Sequence, residues 1–154
     1  MRSYKFIPTE QLKPYIKYFV VTEKELETEY KILPSSGLVI GFQYKGELAS
    51  LTDQTINKLS SAGITGISDS YKMFKNSNNI GTILVFLTEI GFTHFASHPA
   101  NELFNLSVSL DHIFDKNNVI EVEEKLALAY TDKQRIKIVE KFMLSTILMR
   151  CLSV

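Results

Sequence analysis

Three histidines carry most of the chemistry that spacing alone suggests. His94 and His98 stand four residues apart, the separation that puts two imidazoles on one face of a helix and offers a pair of metal ligands. His112, with Asp111 and Glu102 as carboxylate neighbours in sequence, could complete such a site. Pro99 argues against it, because a proline there suits the first turn of a new helix, and the two histidines would then not share a continuous one. Spacing fixes no third ligand, so these residues read as helix-start or surface positions and no metal is assigned.

Nucleophilic and phosphate chemistry find less support. No G-x-S-x-G elbow marks a strained serine, so a Ser-His-Asp triad has no anchor in the sequence. Gly63-Ile64-Thr65-Gly66 lacks both the lysine and the following helix that a phosphate loop needs. Cys151, the single cysteine, lies beside Arg150 near the end of an apolar helix and reads as a packed or frayed thiol. No catalytic residue and no cofactor is therefore expected. The aromatics are the richer set, with ten Phe, seven Tyr and no Trp. Phe42, Tyr44 and Phe86 fall on predicted strands whose inner faces would close over one cavity if the front half curls into a barrel, and such mouths take small molecules. Ordinary core packing is the competing use of the same three rings.

The elements that would position these residues follow from periodicity. Residues 18–22 are aromatic or β-branched and suit a strand; the charged run 24–29 suits an exposed loop or hairpin. Residues 30–33 form a further strand ending in the turn cluster Pro34-Ser35-Ser36-Gly37. Over residues 38–44, Leu38, Ile40, Phe42 and Tyr44 face one way and Val39, Gly41 and Gln43 the other. Lys45-Gly46-Glu47 then reads as a tight reversal, making residues 38–52 a hairpin. Residues 53–70 are polar and suit a loop followed by an edge-like strand with Ile64 and Ile67. Residues 71–74 continue as strand, and 75–79 turn the chain. Residues 83–87 are an unbroken apolar run, expected to be a central strand buried on both faces.

Beyond Gly91 the signals become helical. A helix is expected from His98-Pro99, and a brief helical turn over 110–114. Asn118 with Glu121 has the spacing of a capping box, and Val122, Leu126 and Ala129 follow at helical intervals. Thr131-Asp132-Lys133-Gln134 repeats that device. Ile136, Val139, Met143 and Ile147 then make one stripe. The short link between the two helices predicts an antiparallel pair. The fold class is thus α+β: one domain over residues 1–154, β-rich over 1–90 and helical over 91–154.

A chain of 154 residues supplies its own core, and 17 basic against 17 acidic side chains leave no net charge. That balance argues against direct nucleic-acid binding by this chain alone, since an autonomous binder generally carries a basic surplus to displace counterions from phosphates. One cysteine excludes an internal disulfide and fits a reducing compartment. Charges and two prolines break up the first fourteen residues, so no signal peptide is expected, and no apolar run has the length of a membrane span. The expectation is a cytoplasmic protein.

Three motifs in order carry a family resemblance. Residues 6–19 read F-x-P-x-x-x-L-x-P-Y-I-x-Y-F, residues 32–42 read I-L-P-S-S-G-L-V-I-G-F, and residues 84–105 read L-V-F-L-T-E-I-G-F-T-H-F-A-S-H-P-A-N-E-L-F-N. Together with the final helix and its Arg135, the chain resembles the N-terminal sensor region of AraC-type transcriptional regulators, in the subgroup with an uncharacterised amino-terminal domain. It departs at Phe19, where that subgroup has tryptophan, at Ser35-Ser36 in place of an aspartate, and at Thr88-Glu89 in place of a proline. The resemblance implies a cupin-like partial barrel or curved antiparallel sheet that senses an effector and pairs protomers. DNA would be read by two helix-turn-helix units that are absent from this chain.

The leading expectation is then a non-enzymatic module that binds a small apolar or aromatic effector near Phe42, Tyr44 and Phe86. Ile136, Val139, Met143 and Ile147 would report the bound state or join two copies in a homodimer. Two rivals differ in class: an interaction domain with a solid core and no pocket, and a small cupin-type metalloenzyme.

Overall fold

Strand-forming runs dominate the front of the chain, and most pair with partners far away in sequence. The computed structural model describes residues 1–34, 37–53, 55–96 and 100–152. Its strands are β1 (Arg2–Phe6), β2 (Ile16–Lys24), β3 (Thr28–Ile32), β4 (Val39–Lys45), β5 (Leu48–Thr52), β6 (Thr55–Lys58), β7 (Ala62–Thr65), β8 (Lys72–Asn76), β9 (Ile80–Leu87) and β10 (Ser107–Ser109). The α-helices are α1 (Gly91–Phe95), α2 (Lys116–Leu128) and α3 (Asp132–Leu152), with short 3₁₀ turns at Ala100–Leu103 and Leu110–His112. The protein is α+β, with antiparallel sheets in front and helices behind.

Two sheets share the strands. The larger has six in the order β1-β2-β9-β4-β7-β10, and the smaller has four in the order β3-β8-β5-β6. Alternation sorts the side chains of the larger sheet onto two faces. On one face, Phe19, Val21, Ile40, Phe42, Ile64, Ile83 and Val85 are buried in a single apolar cluster with α2 and α3. The other face looks toward the smaller sheet across a cavity.

The helices cover the first face. Val122 and Leu126 of α2 and Ile136, Val139, Phe142 and Met143 of α3 belong to that cluster. Phe142 meets Phe42 edge-on at 6.1 Å and Phe114 at 5.6 Å between ring centroids. Thr131 and Gln134 form the expected capping box. The Gln134 N–H donates to Thr131 Oγ1 at 3.2 Å, and Gln134 Oε1 accepts from the N–H groups of Thr131 and Tyr130 at 3.2 and 2.8 Å. Helix α2 starts one turn earlier than the Asn118–Glu121 spacing suggests, because Asp115 Oδ2 accepts from the Asn118 N–H at 3.2 Å and takes the cap.

Several expectations are corrected. Residues 38–52 are not a hairpin: β4 pairs with β9 and β7, whereas β5 pairs with β6 and β8 in the other sheet. Gly46 turns the chain from one sheet to the other with φ of 77°, and a Cβ there would lie 2.7 Å from the Ile80 Cα. Residues 53–70 include a strand, β6, and β7 is an interior strand flanked by β4 and β10 rather than an edge. Strand β9 has one face in the core and the other, with Leu84 and Phe86, on the cavity.

The stripe expected to pair protomers is corrected too. Ile136, Val139 and Met143 are buried against the chain's own sheet and Ile147 packs on the same cluster, so they do not form an exposed dimer face. An amphipathic stripe reads identically in sequence whether its cover is a sheet of the same chain or a second copy.

Candidate functional site

Because successive strand residues point to opposite faces, every core residue of the larger sheet has neighbours that face the smaller one. Those neighbours are smaller or more polar: Val39, Gly41 and Gln43 on β4, Thr82 and Leu84 on β9, Thr65 on β7 and Ser107 on β10. Opposite them, β3 contributes Tyr30 and Ile32, and β8 contributes Lys72, Phe74 and Asn76. Between the sheets lies a cavity of about 630 Å³, within the range of small-molecule sites. Gly41 helps to keep it open, since a Cβ there would meet only Leu84 Cδ2, at 3.5 Å.

Most polar groups along this cavity are held by the scaffold. Asn76 is buried, and its amide nitrogen donates to the carbonyls of Leu26 at 3.1 Å and Ser77 at 2.8 Å while its oxygen accepts from the Thr28 hydroxyl. The Gln43 amide nitrogen donates to the carbonyls of Ser60 and Ser61 at 3.1 and 3.3 Å. Burial pushes the Tyr30 hydroxyl above its ordinary pKa and the Lys72 ammonium below its own.

Of the three aromatics singled out by sequence, only Phe86 lines the cavity. Phe42 points the other way, into the helix-covered core, and Tyr44 lies on that same side with the Arg135 guanidinium 4.1 Å from its ring centroid. The reason is parity: Phe42 and Tyr44 share a face with Ile40, which the helices cover. The cavity residues that sequence reasoning missed are Lys72, Gln43, Thr65 and Ser107. Only Gln43 had a signal, the small and polar Val39-Gly41-Gln43 face already visible in the alternation.

Tyr44 belongs to a second polar cluster, which ties α3 to the sheet. Its hydroxyl donates to Glu23 Oε1 at 2.6 Å, and the same oxygen takes Arg2 Nη2 at 2.9 Å and Lys45 Nζ at 3.3 Å. Arg2 also pairs with Asp132, which in turn holds Arg135 Nη1 at 2.9 Å. Gly81 leaves room for this arrangement, as a Cβ there would sit 2.5 Å from the Tyr44 ring. Burial raises the Glu23 pKa, but hydrogen bonds from Tyr44, Arg2 and Lys45 outweigh it and hold the carboxyl at about 2 against an ordinary 4.5.

A depressed carboxyl pKa contributes stability above the unfolded value and loses it as pH falls through the folded one. Unfolding by urea is therefore expected to become easier between pH 4.5 and about 2. Screening of a side chain 25% exposed brings the contribution down to about 1–2 kcal/mol. Glu23→Gln should remove that part of the pH dependence; an unchanged profile would show the cluster to be idle.

The histidines are not gathered. His94 lies on the surface with Nδ1 3.0 Å from the Ile90 carbonyl oxygen and its ring 4.7 Å from that of Tyr15; His112 is exposed after β10. His98 and Pro99 lie outside the described residues, as does the Ser35-Ser36 part of the expected turn. Among the described residues no group of three His, Cys, Asp or Glu side chains could hold a metal ion, and no helix is long and apolar enough to cross a membrane. A family model described as a domain of unknown function (DUF6597) matches residues 4–109, from β1 to the end of β10. No curated protein matches the chain.

Proposed function

We propose that this chain, which belongs to that family of unknown function with a domain that includes both sheets, is the effector-sensing module of an AraC-type transcriptional regulator, a reading supported by the order of the motifs at residues 6–19, 32–42 and 84–105. In this reading it is a cytoplasmic, non-catalytic part that binds a small molecule between the sheets and touches DNA only through a separate helix-turn-helix part. The observation that carries it is the cavity of about 630 Å³ set one sheet's thickness from α3. A ligand pressing on Val39, Gly41 and Gln43 acts on the strand whose alternate residues, Phe42 and Tyr44, hold Phe142 and Arg135 of α3. Such a ligand changes the helix only if it favours one helix position over another. Pairing of two copies belongs to the same reading, and the apolar side chains available for it include the exposed Leu128 and Tyr130 at the α2–α3 junction.

The test uses naphthylmethanol, an uncharged fluorescent probe, on the wild-type and Gly41→Leu proteins. The new side chain grows into the cavity beside Leu84, so the variant should stay folded and take up no probe. The wild type should bind it, and at a hundred times its Kd gain about 2.7 kcal/mol in stability. Absence of uptake by the wild type overturns the reading in favour of a solid interaction domain, and undiminished uptake by the variant overturns it by placing the probe outside the cavity.

A further inference from the structure

We propose that the cavity takes an organic carboxylate, its apolar body against Phe74, Leu84 and Phe86 and its head held by the Lys72 ammonium beside the hydroxyls of Ser107 and Thr65. This rests on the sensor reading above and adds the chemical class of the ligand.

Lys72 leaves β8 in the smaller sheet and reaches across to the larger one, where its Nζ lies 3.3 Å from Ser107 Oγ. Ser107 Oγ is in turn 3.2 Å from Thr65 Oγ1, its register partner on β7. One ammonium and two hydroxyls thus form a row of donors at one side of a mostly apolar space. Among the described residues, that serine is the only side-chain hydrogen-bond partner of Lys72, which leaves most of its donor capacity unused.

The other lysines at the cavity are engaged. Lys58 pairs with Glu47 at 2.8 Å, and Lys24 lies 4.1 Å from the centre of the Tyr30 ring. Among the described residues no aspartate or glutamate lines the space. A half-buried ammonium without a carboxylate partner costs free energy, and an arriving anion relieves that cost while its body gains the apolar wall. Desolvation alone lowers the Lys72 pKa, and no carboxylate acts to restore it. Lys72 is the one lysine at the cavity whose charge has neither a carboxylate nor a ring for a partner, and a single ammonium suits a carboxylate better than a doubly charged phosphate.

Fluorescence titration with naphthoate and naphthylmethanol on the wild type, Lys72→Met and Lys58→Met tests this. The wild type should bind naphthoate about tenfold more tightly than the alcohol, the worth of one hydrogen bond to a charged group. Lys72→Met should bring the two probes within about twofold without weakening the alcohol, whereas Lys58→Met keeps the preference. If Lys72→Met fails to fold, Ser107→Ala is expected to shrink the preference in its place. Equal binding of both probes by the wild type sinks the carboxylate assignment and leaves the sensor reading standing; binding of neither sinks that reading as well. A preference that survives Lys72→Met, or that Lys58→Met abolishes equally, overturns the assignment by pointing to bulk charge.

Discussion

Met143→Asp is expected to unfold the protein, not to release a folded monomer from a dimer. Met143 has no exposed surface and lies in the same cluster as Val139, Phe142 and the inner face of the larger sheet. A carboxylate placed there finds only apolar neighbours, and the cost of an unpaired buried charge is several kcal/mol. Domains of this size are stable by about 5–15 kcal/mol in all, so a loss on the order of 4–5 kcal/mol removes most of the margin. Circular dichroism during urea titration, run beside sedimentation, separates the cases. A weakened or absent cooperative transition agrees with the buried stripe; an undiminished transition with half the wild-type mass would restore it as a dimer face.

Phe142→Ala should cost about 3–5 kcal/mol while leaving the fold recognisable. Its ring bridges Phe42 of β4 and Phe114, which follows the 3₁₀ turn at Leu110–His112, so truncation empties the point where sheet, connecting turn and α3 meet. The near-perpendicular ring contacts add to the area lost from cover. A fall in the urea midpoint with an unchanged slope is the expected result. A shift worth less than about 1 kcal/mol would mean that α3 does not depend on this contact, and the route from cavity to helix through Phe42 would lose its support.

How much of this was legible in the sequence depended on whether a residue's surroundings leave a pattern. The alternation over residues 38–44 was visible because Ile40 and Phe42 meet one continuous core. The Thr131–Gln134 cap was visible because its hydrogen bonds are local. Strand β6 was missed because all four of its residues are exposed and no burial pattern marks them. Strand β10, three residues with two serines, is shorter than any periodicity can register.

The cavity was half legible. A wall facing a cavity mixes Gly41 and Gln43 with Leu84 and Phe86, so β4 looks solvent-facing on that side and β9 looks buried on both. Phe42 and Tyr44 were assigned to the ligand because local alternation tells which residues share a face but not which face the helices cover. Lys72 had no signal, since an ammonium reaching across from one sheet to another depends on partners thirty-five residues away.

The two sheets draw their strands alternately from the chain: β3, β5, β6 and β8 go to one, and β1, β2, β4, β7, β9 and β10 to the other. On the ribosome, therefore, β2 and β4 must wait for Leu87 at the end of β9 to emerge before the strand that lies between them exists. Their apolar faces stay uncovered longer still, until α2 and α3 follow, so folding is expected to take milliseconds to seconds, as for other proteins dominated by distant pairings.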